Sequence, residues 1–163
     1  MFLNIISDIF FGAVAGIGFG AISNPSKRSY VCIALLAGLG HACRYILMNV
    51  WGIDIASASF ISAMAIGFGS LWLGGKIHSP MTVIYIPALL PMIPGMYAYN
   101  SVLAQIMIMQ NLKDAKLKSQ YIEMFISNGT VALTVIFLLA IGATLPMFFF
   151  YKKAYSLARS VRK

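Results

Sequence analysis

Long apolar runs separated by short polar connections set the pattern of this chain. The first run covers about 3–22 and gives way to the polar turn "SNPSKRS". The second, about 30–49, ends at "VWGID", and the third, about 55–73, ends at "GGKIHSP". A fourth stretch fills 81–110, the link "NLKDAKLKSQ" follows, and a fifth run covers about 125–150. The runs are continuously apolar rather than alternating, which favours helices over the strands of a barrel. Each is long enough to cross a hydrocarbon core about 30 Å thick. The pattern predicts an all-α integral membrane protein of about five transmembrane helices. Residues 1–151 form a single membrane domain, and 152–163 form a basic cytoplasmic tail.

The fourth stretch breaks the rule that the others follow. As one helix, 81–110 would be about 45 Å long, well beyond the core. It carries Pro87, Pro91, Pro94 and Gly95, and Leu90 and Ile93 each precede a proline, which biases them away from helical backbone. Two half-helices, 81–90 and 96–110, joined by an unwound "PMIPG" near mid-membrane, resolve both problems. Irregular backbone at that depth must be buried in protein or line a wet cavity. The start at Met96–Tyr97 offers free N–H groups and a positive dipole end to an anion. The end at Leu89–Leu90 offers free carbonyls to a cation, ammonium or water. Tyr97, Tyr99, Asn100 and Ser101 supply polar side chains nearby. This is the construction of midplane sites in secondary transporters, the plainer reading being a proline kink satisfied by neighbours.

Composition sharpens the class. Hydrophobic residues make up 60% of the 163 and charged ones only 10%, against about a quarter charged in a soluble domain. The net charge of +8 lies almost wholly between the runs and in the tail. That placement argues against nucleic acid and for cytoplasmic loops beside anionic lipid headgroups. Lys27, Arg28, Lys76 and five basic residues of the tail share one side if the N-terminus is outside, so the expected orientation is N-out, C-in. Lys113, Lys116 and Lys118 oppose it, partly offset by Asp114 and Glu123. The opening "MFLNIISDIF" lacks the Lys/Arg of a secretory signal and reads as a retained first span.

Few residues are left to carry chemistry. His41 and Arg44 share a face of the second helix at i, i+3. Arg44 stands about five residues from the helix end, close enough to snorkel, whereas His41 lies a turn deeper and is either a packing histidine or a proton relay. Asp8 is a candidate for proton coupling or for pairing with Arg44. Asp54 precedes the third helix and reads as its cap. Cys32 and Cys43 are about 16 Å apart along one helix, too far for a disulfide, and no metal site is expected. Gly12, Gly16 and Gly20, and Ser59, Ala63 and Gly67, recur at four-residue spacing, as small residues do where helices or subunits pack closely in lipid. "NGT" at 128–130 reads as a chance sequon at a helix start. "GIGFG" is a packing run, "GGK" lacks the rest of a phosphate loop, and no nucleophile elbow is present, so neither an enzyme nor a cofactor is expected.

"GHACRYILM", "SFISAMAIG" and "IPALLPMIPGMYAYN" resemble the threonine/serine exporter (ThrE) family over nearly the whole chain. The likeness is greatest to the short, membrane-only YjjB-type subunit of its split form. The Gly-His-x-x-Arg and PMxPG-x-x-AY runs are its most specific parts. The resemblance implies five spans in a bacterial inner membrane and a larger YjjP-type partner subunit with cytoplasmic and membrane parts. It also implies export of a small carboxylate metabolite, threonine/serine or a succinate-type C4-dicarboxylate, with an inverted pseudo-repeat across the two subunits. The candidate substrate-binding residues are Arg44, His41, Pro91, Pro94, Gly95, Tyr97, Tyr99 and Asn100, with Asp8 and His41 for proton coupling. Arg44 and the helix start at Tyr97 suit a carboxylate. The scarcity of buried acids to receive an ammonium tilts the reading toward a dicarboxylate, with His41 or Asn100 as a further donor. The alternatives are a non-transporting scaffold for the partner, or a pore.

Overall fold

A computed structural model describes residues 2–150 of the chain, the side chain of Phe2 excepted; the tail expected at 152–163 lies outside the described residues. All regular structure among the described residues is helical. The helices are α1 (Phe2–Ile22), α2 (Lys27–Asn49), α3 (Ile55–Ile77), α4 (Met81–Leu89), α5 (Gly95–Gln110) and α6 (Ala115–Phe149). A single 3₁₀ turn, Leu90–Met92, continues α4. Four helices are long and apolar enough to cross a membrane, and the α4–α5 pair supplies a fifth span if it counts as one. The expected all-α membrane fold with an interrupted fourth element is therefore present.

Several boundaries differ from expectation. α2 starts at Lys27, shortening the "SNPSKRS" turn, and α3 runs on to Ile77 before His78 closes it in a left-handed conformation. α6 begins ten residues earlier than the apolar run, because the Asp114 carboxylate accepts from the N–H groups of Lys116 and Leu117 at 3.0 and 3.1 Å. That cap recruits the polar link into the helix. At 35 residues α6 is about 52 Å long, and "NGT" lies inside it rather than at its start.

The chain divides into two compact units. One holds the residues up to Met92 together with those from Leu138 onward; the other is Ile93–Phe137. In the first unit, small residues set the helix approaches. A Cβ added at Gly16 would lie 2.6 Å from the Ala37 Cβ, and one at Gly20 would lie 3.1 Å from Ile33. Thus the glycine ridge of α1 packs on α2 of its own chain. α2 meets α3 through Gly40 against Ile66 and Gly69 against Leu36. α3 meets the end of α6 through Gly67 against the Ala143 carbonyl and Pro146, and through Gly142 against the Phe60 carbonyl. The stripe Ser59, Ala63, Gly67 is thus also an internal packing surface. Ile33, Ile66, Ile84 and Met92 are fully buried between these helices. In the second unit, Ser101 of α5 donates to the Phe125 carbonyl of α6 at 3.3 Å, and Gly129 makes room for the Ser101 hydroxyl.

Candidate functional site: a basic pair at a helix break

The break in α4 follows from missing donors. Pro87, Pro91 and Pro94 have no N–H, so the carbonyls four residues before each lose their helical partners. Gly95 turns its N–H to Ile93 at 2.8 Å rather than back to Pro91. The helix therefore ends with free carbonyls at Pro91 and Met92, deep in the first unit, where Met92 is fully buried. Unanswered, a buried carbonyl of this kind costs about 1–3 kcal/mol.

α2 supplies the answer. Arg44 Nη1 donates to the Met92 carbonyl at 2.7 Å. One turn back, the His41 imidazole lies beside the Pro91 carbonyl. Asp8 of α1 lies one turn before Gly12, the residue that faces the His41 ring. Gly12 admits the imidazole: a Cβ there would meet the ring at 3.0 Å. The four-residue spacing of the glycines thus places Gly12 opposite His41 as it places Gly16 opposite Ala37. A cation at the carboxyl end of a helix is also favoured by the helix dipole. Arg44 uses one of a guanidinium's five donors in this bond, while His41 Nε2 is buried and has no hydrogen-bond partner.

The candidate residues thus fall into two groups. Arg44, His41, Asp8 and Pro91 are brought together in the first unit. Pro94, Gly95, Tyr97, Tyr99 and Asn100 belong to the second. There the start of α5 is less open than expected: Tyr97 and Ala98 both donate to the Pro94 carbonyl, at 3.1 and 3.2 Å, and Gly95 donates to Ile93. Of its first amides, Met96 alone is left without such a bond among the described residues. The Tyr99 side chain is 61% exposed.

Two buried polar residues escaped sequence reasoning. Ser59 and Ser62 of α3 are completely buried, and neither hydroxyl has a hydrogen-bond partner. Ser59 reads in the sequence as part of a small-residue packing stripe. The available signal was a second serine three positions on, sharing one face of an otherwise apolar helix.

These features define a multi-pass membrane protein, all-helical among the described residues and organised around an interrupted helix whose free end is held by the Arg44 side chain. The model of the family described as "Threonine/Serine exporter, ThrE" matches residues 8–149, and the chain belongs to that family, a family of transporters. It is also similar to an uncharacterised protein of Haemophilus influenzae, 28% identical over 151 residues, which cover 93% of this chain and 49% of that protein. The chain thus spans about half the length of this relative. No solved structure matches it.

Proposed function

We propose that the chain is the membrane subunit of a two-component secondary exporter in a bacterial inner membrane. It carries a small carboxylate metabolite out of the cytoplasm together with a larger subunit. The observation that supports this best is the Arg44–Met92 bond at the broken helix. A guanidinium resting on a backbone carbonyl can exchange that neutral acceptor for a substrate carboxylate, a charge-assisted and stronger partner. Binding would then free the Met92 carbonyl and loosen the end of α4, which couples occupancy to movement of the break. The matched relative is about twice as long as the part this chain covers, and we propose that a separate YjjP-type subunit supplies the function of its other half.

Two substrate classes suit this arrangement. The family description favours threonine or serine, whose ammonium would take the Pro91 carbonyl and Asp8. The chain's few acids, four Asp and Glu in all, favour a C4-dicarboxylate such as succinate.

The test is export by both subunits reconstituted into vesicles, with Arg44→Gln and the double change Pro91→Ala/Pro94→Ala compared with wild type. Each variant should assemble with the partner yet lose at least about tenfold in rate, the equivalent of one charge-assisted hydrogen bond. Wild-type export rates in assembled variants would assign the chain to scaffolding. A rate that rises linearly with gradient, without saturation, would indicate a pore.

A further inference from the structure

We propose that the groove between α2 and α3 is a binding site for an anionic phospholipid. One acyl chain lies in the groove, and the phosphate is held at its end by Arg28 and Lys76.

Small residues form the groove. An added Cβ at Gly40 would lie 2.4 Å from Ile66, and one at Gly69 would lie 2.5 Å from Leu36, so the two helices touch along that line. Beside the contact, Leu39 and Cys43 of α2 with Ala65 and Trp72 of α3 line a cavity of about 390 Å³. That lies within the range of about 300–1,000 Å³ for sites that hold a small molecule. The lining suits hydrocarbon and, among the described residues, offers no charged partner. Leu39 and Trp72 are 60% and 59% exposed, so the groove opens outward from the helix pair rather than into the core.

One end of the groove is basic. Lys76 Nζ stands over the Trp72 ring, 3.7 Å from its centre, which fixes an ammonium beside the groove wall. Lys76 shares a stripe of α3 with Trp72, Gly69 and Ala65, at i−4, i−7 and i−11. Arg28 shares a stripe of α2 with Leu39, three turns on. Two separate observations set these cations level. The contacts of Ile66 with Gly40 and of Gly69 with Leu36 run antiparallel and continue to bring position 76 opposite Ser29. At that same end the Ser29 hydroxyl donates to that of Ser79 at 3.3 Å. Arg28 and Lys76 are both exposed.

Two cations at the end of an apolar groove match an amphiphile with a negative head. A phosphodiester can accept from a guanidinium and an ammonium together, whereas the cationic half of a zwitterionic head would be repelled. In the expected N-out orientation this end faces the cytoplasm, where anionic headgroups gather and where basic pockets between spans hold them. Trp72 then stands at headgroup level, as interfacial tryptophans do. The chain's own tail is a poor occupant, because Lys152, Lys153, Arg159, Arg162 and Lys163 would bring like charge to the pair.

Fluorescence quenching tests this. Trp51→Phe leaves Trp72 as the single tryptophan, and brominated acyl chains quench a tryptophan that they touch. The full chain carrying that change, in phosphatidylcholine vesicles, is titrated with brominated phosphatidylglycerol or brominated phosphatidylcholine. The anionic lipid should quench at about tenfold lower mole fraction, roughly the contribution of two cations beside a charged headgroup. In Arg28→Gln/Lys76→Gln, which changes only exposed side chains, the two lipids should quench alike. Ala65→Phe, at the exposed edge of the groove, should weaken quenching by the anionic lipid with both charges intact. Equal quenching by the two lipids before the charges are removed, or an unchanged preference afterwards, overturns the proposal. Quenching by neither lipid means that the tail, a second copy or another subunit covers the groove, and overturns it as well. Undiminished quenching in Ala65→Phe places the acyl chain elsewhere and removes the groove from the site. Soluble glycerol phosphate should leave the quenching unchanged; relief would assign the cations to a free phosphate and overturn the lipid.

Discussion

The Arg44 guanidinium sits where a helix ends early, so one side chain meets a free carbonyl and the negative pole of the α4 dipole together. Arg44→Gln retains an N–H donor but removes the charge. It should lower thermal stability in detergent by about 1.5–3 kcal/mol, the range for bonds to charged groups, and Arg44→Lys should recover part of the loss. Asp54 offers a pH-dependent counterpart outside the spans. Its carboxylate caps α3 by accepting from the Ser57 N–H at 2.9 Å, and that bond, ahead of the Ser57 hydroxyl, holds its pKa below the ordinary 3.8. A lowered folded pKa means the cap contributes in full above the ordinary value and is lost as pH falls through the folded one. Thermal melts should therefore show wild type above Asp54→Ala at neutral pH, with the gap closing on acidification below 3.8. The capping role of Asp54 was legible in the sequence, since Asp before an apolar run has one common use. The acceptor of Arg44 was not, because Met92 lies 48 residues away and only the packed fold joins them.

At the scale of elements, glycines decide how closely the helices approach. Gly16 faces the Ala37 Cβ with no room for a side chain, whereas an added Cβ at Gly18 meets nothing within 4 Å. Gly16→Ala should push α1 off α2 and cost about 1–3 kcal/mol. Gly18→Ala on the same helix should be neutral or slightly stabilising, as an alanine in a helix usually is. Melting both variants in one detergent checks the pair. The sequence announced the ridge through its spacing, but not its partner, because a small-residue stripe serves a neighbouring helix and a neighbouring subunit equally well. The interruption near Pro91 was the most legible element, since a missing N–H is written in the residue type itself. The early start of α6 was not. There a single carboxylate, Asp114, outweighs the polar character of the ten residues that follow it.

For the whole molecule, counting the broken pair as one span gives five candidate crossings among the described residues, an odd number, for which the expected orientation is N-out, C-in. With the basic turns inside, a green fluorescent protein fused after Lys163 should fluoresce in the cytoplasm, and alkaline phosphatase fused there should be inactive. The reverse result would invert the proposed direction of every span. The Arg44–Met92 bond also imposes an order on biogenesis. The arginine is synthesised 48 residues before its acceptor, an interval of about 2–10 s at ordinary rates of translation. Throughout that time α2 is in or entering the bilayer with a charge that costs about 2.5–3.5 kcal/mol at mid-membrane. Arg44 stands five residues from Asn49, the last residue of α2, so its side chain can reach the headgroups until α4 arrives. Moving the same arginine two turns toward the middle of α2 would remove that refuge and should stall insertion before any fold exists to receive it.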